Sequence, residues 1–243
     1  MKVGIFGCTA DPFTVAHKEI CRTVVEKYNL DELWIVPTVV EYHRKGKQRM
    51  FSDHERCFII LEMLCTILNE PWVYRLWDNE LRLKALYHDI DVRHGTTFEK
   101  DIIGERRFFH TLLELKASVV NQNAEVFLIV GQDSLNMMPT WYQWKLVLEQ
   151  LSGVICVKGR EGETSTPKEI EEEFRRAEKS LEYITLSDDL LKVSASNVRD
   201  TLSNLEGDEK IVKYLKDVKA FSQGYKSITD LKWDGSTQKE KLT

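Results

Sequence analysis

The sequence predicts an α/β protein: a doubly wound parallel sheet with helices on both faces. Three observations carry that reading. Short β-branched runs alternate with stretches of helical periodicity along most of the chain, the pattern of repeated βα units on a parallel sheet. The run Glu125-Val126-Phe127-Leu128-Ile129-Val130 is apolar on both faces, as a strand in the middle of such a sheet must be. With 243 residues and 42% hydrophobic content, the chain can bury the core that this architecture needs. One domain over residues 1–225 is expected, with an insertion at 83–107, a small C-terminal helical part and a polar tail at 226–243.

The elements follow in order. Lys2-Val3-Gly4-Ile5-Phe6 is a strand, and a loop from Gly7 leads into an amphipathic helix through Ile20, Val24 and Tyr28. The second strand, Leu33-Trp34-Ile35-Val36, ends at Pro37, and a polar, basic loop runs from Glu41 to Arg49. Ser52-Asp53-His54-Glu55 has the spacing of a capping box and opens a helix carrying Phe58, Leu61, Leu64, Ile67 and Leu68. Trp72 to Trp77 reads as a third strand. The charged stretch Leu83 to Arg107 has no clear period and is taken as the insertion. A helix around Phe109, Leu112, Leu113 and Leu115 precedes the apolar strand, which Gly131 ends. Then come a helix near Trp141 to Leu148, a strand Val154 to Val157, and a charged helix from Pro167 to Leu181, signalled by Thr166-Pro167. A short strand, Tyr183 to Leu186, leads to Val193–Arg199 and two short helices, the first ending near Gly207.

Composition narrows the function. The net charge is -5 with both signs interspersed, so no basic face exists for a nucleic acid polymer, and any nucleic-acid component is a mononucleotide. The five cysteines are scattered without C-x-x-C spacing, as suits reduced thiols in a cytoplasmic protein. No run approaches transmembrane length and the first apolar stretch is too short for a signal peptide, so no membrane partner is expected. His88 to His94 clusters possible metal ligands, but no third cluster accompanies it, and no protein-bound metal is expected. A homo-oligomer is left open.

Two segments look like anion sites. Gly7-Cys8-Thr9-Ala10-Asp11-Pro12-Phe13-Thr14-Val15-Ala16-His17 joins a strand to the positive end of a helix, where free N–H groups face a phosphate. Thr14 and His17, three apart, can face the same anion; a capping Thr with a surface His is the plainer reading. In Ser194-Ala195-Ser196-Asn197-Val198-Arg199, Ser196 can cap a helix with Arg199 on the same face, and the Arg fork suits a phosphate. A routine cap with a solvated Arg is the alternative. Together the two segments could grip a triphosphate. Gly131 and Asp133 follow the most strand-like run, where open α/β sheets place ligands, and Asp133 could accept from ribose hydroxyls or merely cap a turn. Trp141 and Trp144 are spaced to share a helix face, for packing or for stacking on a planar ligand. His43 and Arg44 would suit a second substrate's phosphate, or form a solvated basic loop.

These segments carry a resemblance. The first loop resembles the Gly-Gly-Thr-Phe-Asp-Pro-x-His-x-Gly-His segment of the HxGH nucleotidyltransferase superfamily, and Ser194 to Arg199 is similar to its Ser-Ser-Thr-x-Ile-Arg motif. Within it, Val130-Gly131-Gln132-Asp133-Ser134-Leu135 through Pro139-Thr140-Trp141 resembles the nicotinate (nicotinamide) mononucleotide adenylyltransferases. His43-Arg44 is similar to their Pro-Pro-His-Lys/Arg loop, and Lys158 to Gly162 to their Arg-Pro-Gly turn. The resemblance implies a Rossmann-like fold and transfer of AMP from ATP to a pyridine mononucleotide in NAD biosynthesis, with pyrophosphate released and no covalent intermediate. It implies that His17, Thr14 and Arg199 act on the phosphates, that Gly7, Thr9, Gly131, Asp133, Ser194 and Ser196 bind ATP, and that His43, Arg44, Thr111 and Trp141 bind the mononucleotide. Mg²⁺ would be bound through substrate phosphates. Thr14 stands for the family's first His, as in the pantetheine-phosphate and cytidylyl transferases, which leaves a pantetheine-phosphate adenylyltransferase as an alternative. Cys8 and Ala16 replace glycines, Arg107 to Thr111 stands for the Ser-Tyr-Thr loop, and Glu41-Tyr42 for paired prolines. Nicotinate or nicotinamide preference stays open, and a regulatory module without turnover is the alternative from another class.

Overall fold

A computed structural model describes residues 1–38, 49–67, 73–79, 81–82, 92–93, 108–118, 123–158, 165–187, 190, 193 and 195–222. Six parallel strands form one sheet: β1 (Lys2–Cys8), β2 (Glu32–Pro37), β3 (Tyr74–Leu76), β4 (Glu125–Gly131), β5 (Gly153–Val157) and β6 (Ser180–Ile184). Their order is β3-β2-β1-β4-β5-β6. The chain winds outward from β1 to β3, then returns to lay β4 against the other side of β1, so the direction of winding reverses between β1 and β4. As expected, β4 is central, paired with β1 and β5.

The helices are α1 (Val15–Tyr28), α2 (Asp53–Ile67), α3 (Phe108–Ser118), α4 (Gln132–Met137), α5 (Trp144–Gln150), α6 (Lys168–Arg176), α7 (Ala195–Leu202) and α8 (Glu209–Ser222). Side chains alternate across each strand and feed two cores. Phe6, Ile129 and Ile155 join the core beneath α1, α2, α7 and α8, whereas Ile5, Leu128, Val130 and Val154 join the one beneath α3, α4, α5 and α6. That division is the doubly wound arrangement. None of the described helices is long and apolar enough to cross a membrane.

Local chemistry explains most boundaries. The box at the start of α2 is formed: Ser52 N–H donates to Glu55 Oε2 at 2.5 Å and Glu55 N–H to Ser52 Oγ at 3.2 Å. Helix α1 ends at Asn29, left-handed at φ 51°. Gly4 lets the end of α1 close on the sheet, since a Cβ there would lie 2.7 Å from Leu30 Cδ1.

Five expectations are corrected. The helix from Trp141 begins only at Trp144, because Met138–Thr140 forms a 3₁₀ turn and Gln143 turns left-handed at φ 53°; Trp141 and Trp144 therefore do not share a helix. The charged helix stops at Arg176 rather than Leu181, since Glu178 at φ 54° turns the chain into β6, where Leu181 pairs with Val154. The last strand accordingly spans Ser180–Ile184 instead of starting at Tyr183. Ser196 lies inside α7, which begins at Ala195, so its hydroxyl does not cap that helix. Of the third strand, Trp72 lies outside the described residues, and among 73–77 only Tyr74–Leu76 is strand. The expected insertion falls outside the described residues except for 92–93, as do all of the tail and the basic loop from Glu41 through Gln48.

Candidate active site

The winding reverses between β1 and β4, and parallel sheets of this type bind ligands at the carboxyl ends of their strands beside such a reversal. The loop leaving β1 is largely buried. Ala10 takes a left-handed φ of 50°, the Asp11-Pro12 peptide is cis, and Asp11 is 2% exposed. Its carboxylate accepts from Phe51 N–H at 2.9 Å and from Met50 N–H at 3.2 Å, tying this loop to the chain just ahead of α2. Tyr214 of α8 donates its hydroxyl proton to the Phe13 carbonyl at 2.5 Å, pinning the loop from the opposite end of the sequence.

Thr14 and His17 come together as the capping box of α1. His17 Nδ1 accepts from Thr14 N–H at 2.9 Å and lies 2.8 Å from the Thr14 hydroxyl. A ring nitrogen that accepts a backbone N–H carries no hydrogen, so the neutral imidazole holds its proton on Nε2. Burial pushes the His17 pKa down to about 4, which keeps the ring neutral near pH 7. Phe13 stacks on it at 5.2 Å between ring centroids, and Phe6 closes one side at 5.9 Å. Thr14 itself is 1% exposed, so its hydroxyl serves the box and the imidazole.

Arg199 is brought to the same place. From α7 its Nη1 donates to the Asp11 carbonyl at 2.6 Å and stands 3.9 Å from the Asp11 carboxylate, while Nη2 donates to Ser196 Oγ at 3.0 Å. The two segments expected to hold anions thus meet across 188 positions of sequence. Ser196 is exposed beside the guanidinium; Ser194 lies outside the described residues. Gly7 is half-buried at the end of β1, and a Cβ there would meet nothing within 4 Å. Thr9 follows, half-buried, its carbonyl turned to Arg56. Cys8 stands beside it, its thiol raised to about 12 by burial and therefore inert.

At the end of β4, Gly131 is extended at φ -74° and a Cβ on it would fall 2.9 Å from Asp133 Oδ1. Glycine there leaves the Asp133 carboxylate room to accept from Ser134 N–H at 2.7 Å while staying exposed. Trp141 is half-buried with Phe108 edge-on at 5.7 Å, and Tyr142 stacks on His110 at 5.8 Å. The start of α3 and the turn after α4 thus form one aromatic cluster, with Thr111 fully buried beneath it. His43 and Arg44 lie outside the described residues.

Three residues escaped the sequence reading. Arg56 is a fully buried cation in the first turn of α2, and its signal was a basic residue placed against the helix dipole. Gln132, 7% exposed, donates to Thr166 Oγ1 and to Asn136 Oδ1, each at 2.9 Å, while Thr166 also meets Tyr183 Oη at 2.8 Å. Nothing in spacing announces that network. Tyr214 was hidden in an ordinary amphipathic helix.

A family model described as cytidylyltransferase-like matches residues 5–206. Relatives named "Probable nicotinate-nucleotide adenylyltransferase" include one from Albidiferax ferrireducens, 29% identical over 199 residues, covering 82% of this chain and 84% of that protein. Another, from Dehalococcoides mccartyi, is 26% identical over 212 residues, covering 87% of this chain and 90% of its own length. Among solved structures, Plasmodium falciparum nicotinic acid mononucleotide adenylyltransferase complexed with NaAD superposes with a TM-score of 0.60 at 15% identity, covering 98% of this chain and 99% of its own. At that identity the likeness concerns the fold.

Proposed function

The chain belongs to the cytidylyltransferase-like family, and from that premise we propose that it is a nucleotidyltransferase of NAD biosynthesis that moves AMP from ATP to nicotinate mononucleotide. The observation that carries the reading is the contact of Arg199 with the loop of Asp11, which brings the two segments expected to hold phosphate together. The choice of acceptor follows the names of the relatives.

The chemistry is in-line displacement. A phosphate oxygen of the mononucleotide attacks the α-phosphorus of ATP, the bond from that phosphorus to the bridging oxygen breaks, and pyrophosphate leaves with the electron pair. Such a reaction is accelerated by alignment and by fixed donors facing the developing charge. His17 supplies an Nε2–H to the phosphate oxygens, its orientation locked by Thr14 and by the Phe13 ring. Arg199 and Ser196 receive the departing pyrophosphate, a role the resemblance gives to Ser194 as well. Gly131 and Asp133 hold the adenosine, with Gly7 and Thr9 along its phosphates; Trp141 stacks on the pyridine ring near Thr111; His43 and Arg44 take the mononucleotide phosphate. Among the described residues no three His, Cys, Asp or Glu side chains gather as a metal site. In this reading Mg²⁺ would be held through substrate phosphate oxygens, where it would supply charge neutralisation.

The test is purified protein with ATP, Mg²⁺ and, separately, nicotinate mononucleotide, nicotinamide mononucleotide and phosphopantetheine, read by dinucleotide and pyrophosphate release. Nicotinate mononucleotide should give the highest kcat/KM. Product from phosphopantetheine alone would assign the other branch, and ATP binding without product from any acceptor would make the chain a regulatory module.

A further inference from the structure

Arg56 is the largest fully buried side chain of the described residues, at 0% exposure. Its Nη1 donates to two carbonyls, Thr9 at 2.5 Å and Thr38 at 2.9 Å, and its Nη2 to Asp53 Oδ1 at 2.5 Å. Those carbonyls have a special place. The register of β1 and β2 ends at Cys8 opposite Pro37, and Thr38 N–H adds a last bond to the Cys8 carbonyl at 3.0 Å. Thr9 and Thr38 are the next step, where the strands part. One guanidinium nitrogen bonds both carbonyls across that gap.

Neither packing nor helix stability accounts for an arginine here. Desolvating a cation costs several kcal/mol before its partners offset it, and an apolar side chain of similar volume would fill the space without that cost. A positive charge in the first turn also opposes the helix dipole, which Asp53 and Glu55 already serve. Arg56 Nε is moreover buried without a partner, so the geometry favours the terminal nitrogens at the expense of a fourth bond. Asp53 keeps a second cation, Arg49, at 2.6 Å, so its charge is not what requires Arg56.

We propose that Arg56 is a positioning residue that holds the loop leaving β1, at Thr9, against the end of β2, at Thr38, and through that loop sets where the ATP phosphates lie for attack. The proposal rests on the function proposed above, in which the loop leaving β1 carries the ATP phosphates. Arg56 touches neither substrate; its effect belongs in kcat.

The test compares R56K and R56M with the wild type in four measurements: Tm, the Kd of ATP alone, the Kd of nicotinate mononucleotide with and without a non-hydrolysable ATP analogue, and kcat with each KM. R56K should stay folded, bind each nucleotide alone within threefold of wild type, and lose about 10²-fold in kcat, the scale of a misplacement of about 1 Å. Any gain in mononucleotide affinity that the ATP analogue gives the wild type should vanish in it. A kcat within twofold of wild type would overturn the proposal, as would a loss confined to one substrate's Kd. If R56K fails to fold, R56M carries the same test, and failure of both assigns the residue to stability and refutes positioning. Wild-type protein that binds both nucleotides without forming product sinks the function alone, and the analogue's effect on mononucleotide affinity then decides the role of Arg56. Wild-type protein that binds neither sinks both.

Discussion

Replacing Asp11 by alanine should cost a large part of the stability of this protein without removing any apolar surface. The carboxylate is 2% exposed and accepts two backbone N–H groups, Phe51 at 2.9 Å and Met50 at 3.2 Å. Hydrogen bonds to a charged group are worth about 1.5–3 kcal/mol each, and a buried donor left alone bears its full desolvation cost. The Phe51 bond is buried and short, the Met50 bond longer and only partly buried, so the sum falls at about 3–5 kcal/mol. Against a typical total of about 5–15 kcal/mol, that is a severe loss. D11N keeps one oxygen for Phe51 but turns an amide donor toward Met50 N–H, so it should recover only about half. Urea unfolding followed by circular dichroism gives both numbers, with the m-value unchanged and the midpoint shifted. A D11A loss under about 1 kcal/mol would show that the carboxylate does not hold the loop against α2, and a D11N variant as stable as wild type would show that its charge is irrelevant.

Two further outcomes follow from single residues. The His17 pKa is about 4 in the folded chain against 6.5 ordinarily, so between those values the unfolded chain binds a proton that the native one does not. Stability that is complete above pH 6.5 is therefore lost as pH falls toward 4, and H17N should flatten that limb in unfolding curves at pH 7.5 and 5; equal slopes in both proteins would contradict the buried neutral ring. Turnover should likewise show no His17 limb near pH 6.5. At Gly153, a Cβ would stand 1.8 Å from Ser180 Oγ and 2.9 Å from the Ser180 carbonyl oxygen. G153A should lose about 1–3 kcal/mol or more by overpacking, and adding S180A should restore only part, since the backbone contact remains; full restoration would place the strain in the hydroxyl alone.

The sheet was legible because its signals are local and repeated. The apolar run of β4 and the alternating strands of the first half carry their burial in their own composition. The Ser52–Glu55 box wrote the start of α2 in four letters. Helix ends that depend on a left-handed residue were not legible: Gln143 and Glu178 carry side chains that rarely adopt positive φ, so nothing in the sequence warned of those turns. The site divides the same way. Thr14 with His17, and Arg199 with Ser196, could be paired by spacing because each pair lies within one helical turn. The contact of Arg199 with Asp11, the reach of Arg56 to Thr9 and Thr38, and the bond from Tyr214 to Phe13 join residues that only the fold makes neighbours, and no period or spacing encodes them.

The replacement of the family's first histidine by Thr14 is accommodated by a division of labour. A second imidazole at that position would need its own room and its own partner. Thr14 is short enough to be buried at 1% exposure, and its backbone N–H and hydroxyl are both turned to His17 Nδ1. That leaves one tautomer for the remaining imidazole, and burial with Phe13 stacked on the ring keeps it neutral. A neutral donor forms its hydrogen bond to a phosphate without first giving up the water shell of a charge. In the proposed function positive charge is supplied instead by Arg199, whose guanidinium is anchored on the Asp11 carbonyl. In the function proposed above, His17 is thereby held neutral by the loop of Asp11, and the guanidinium of Arg199 is brought to that loop from α7.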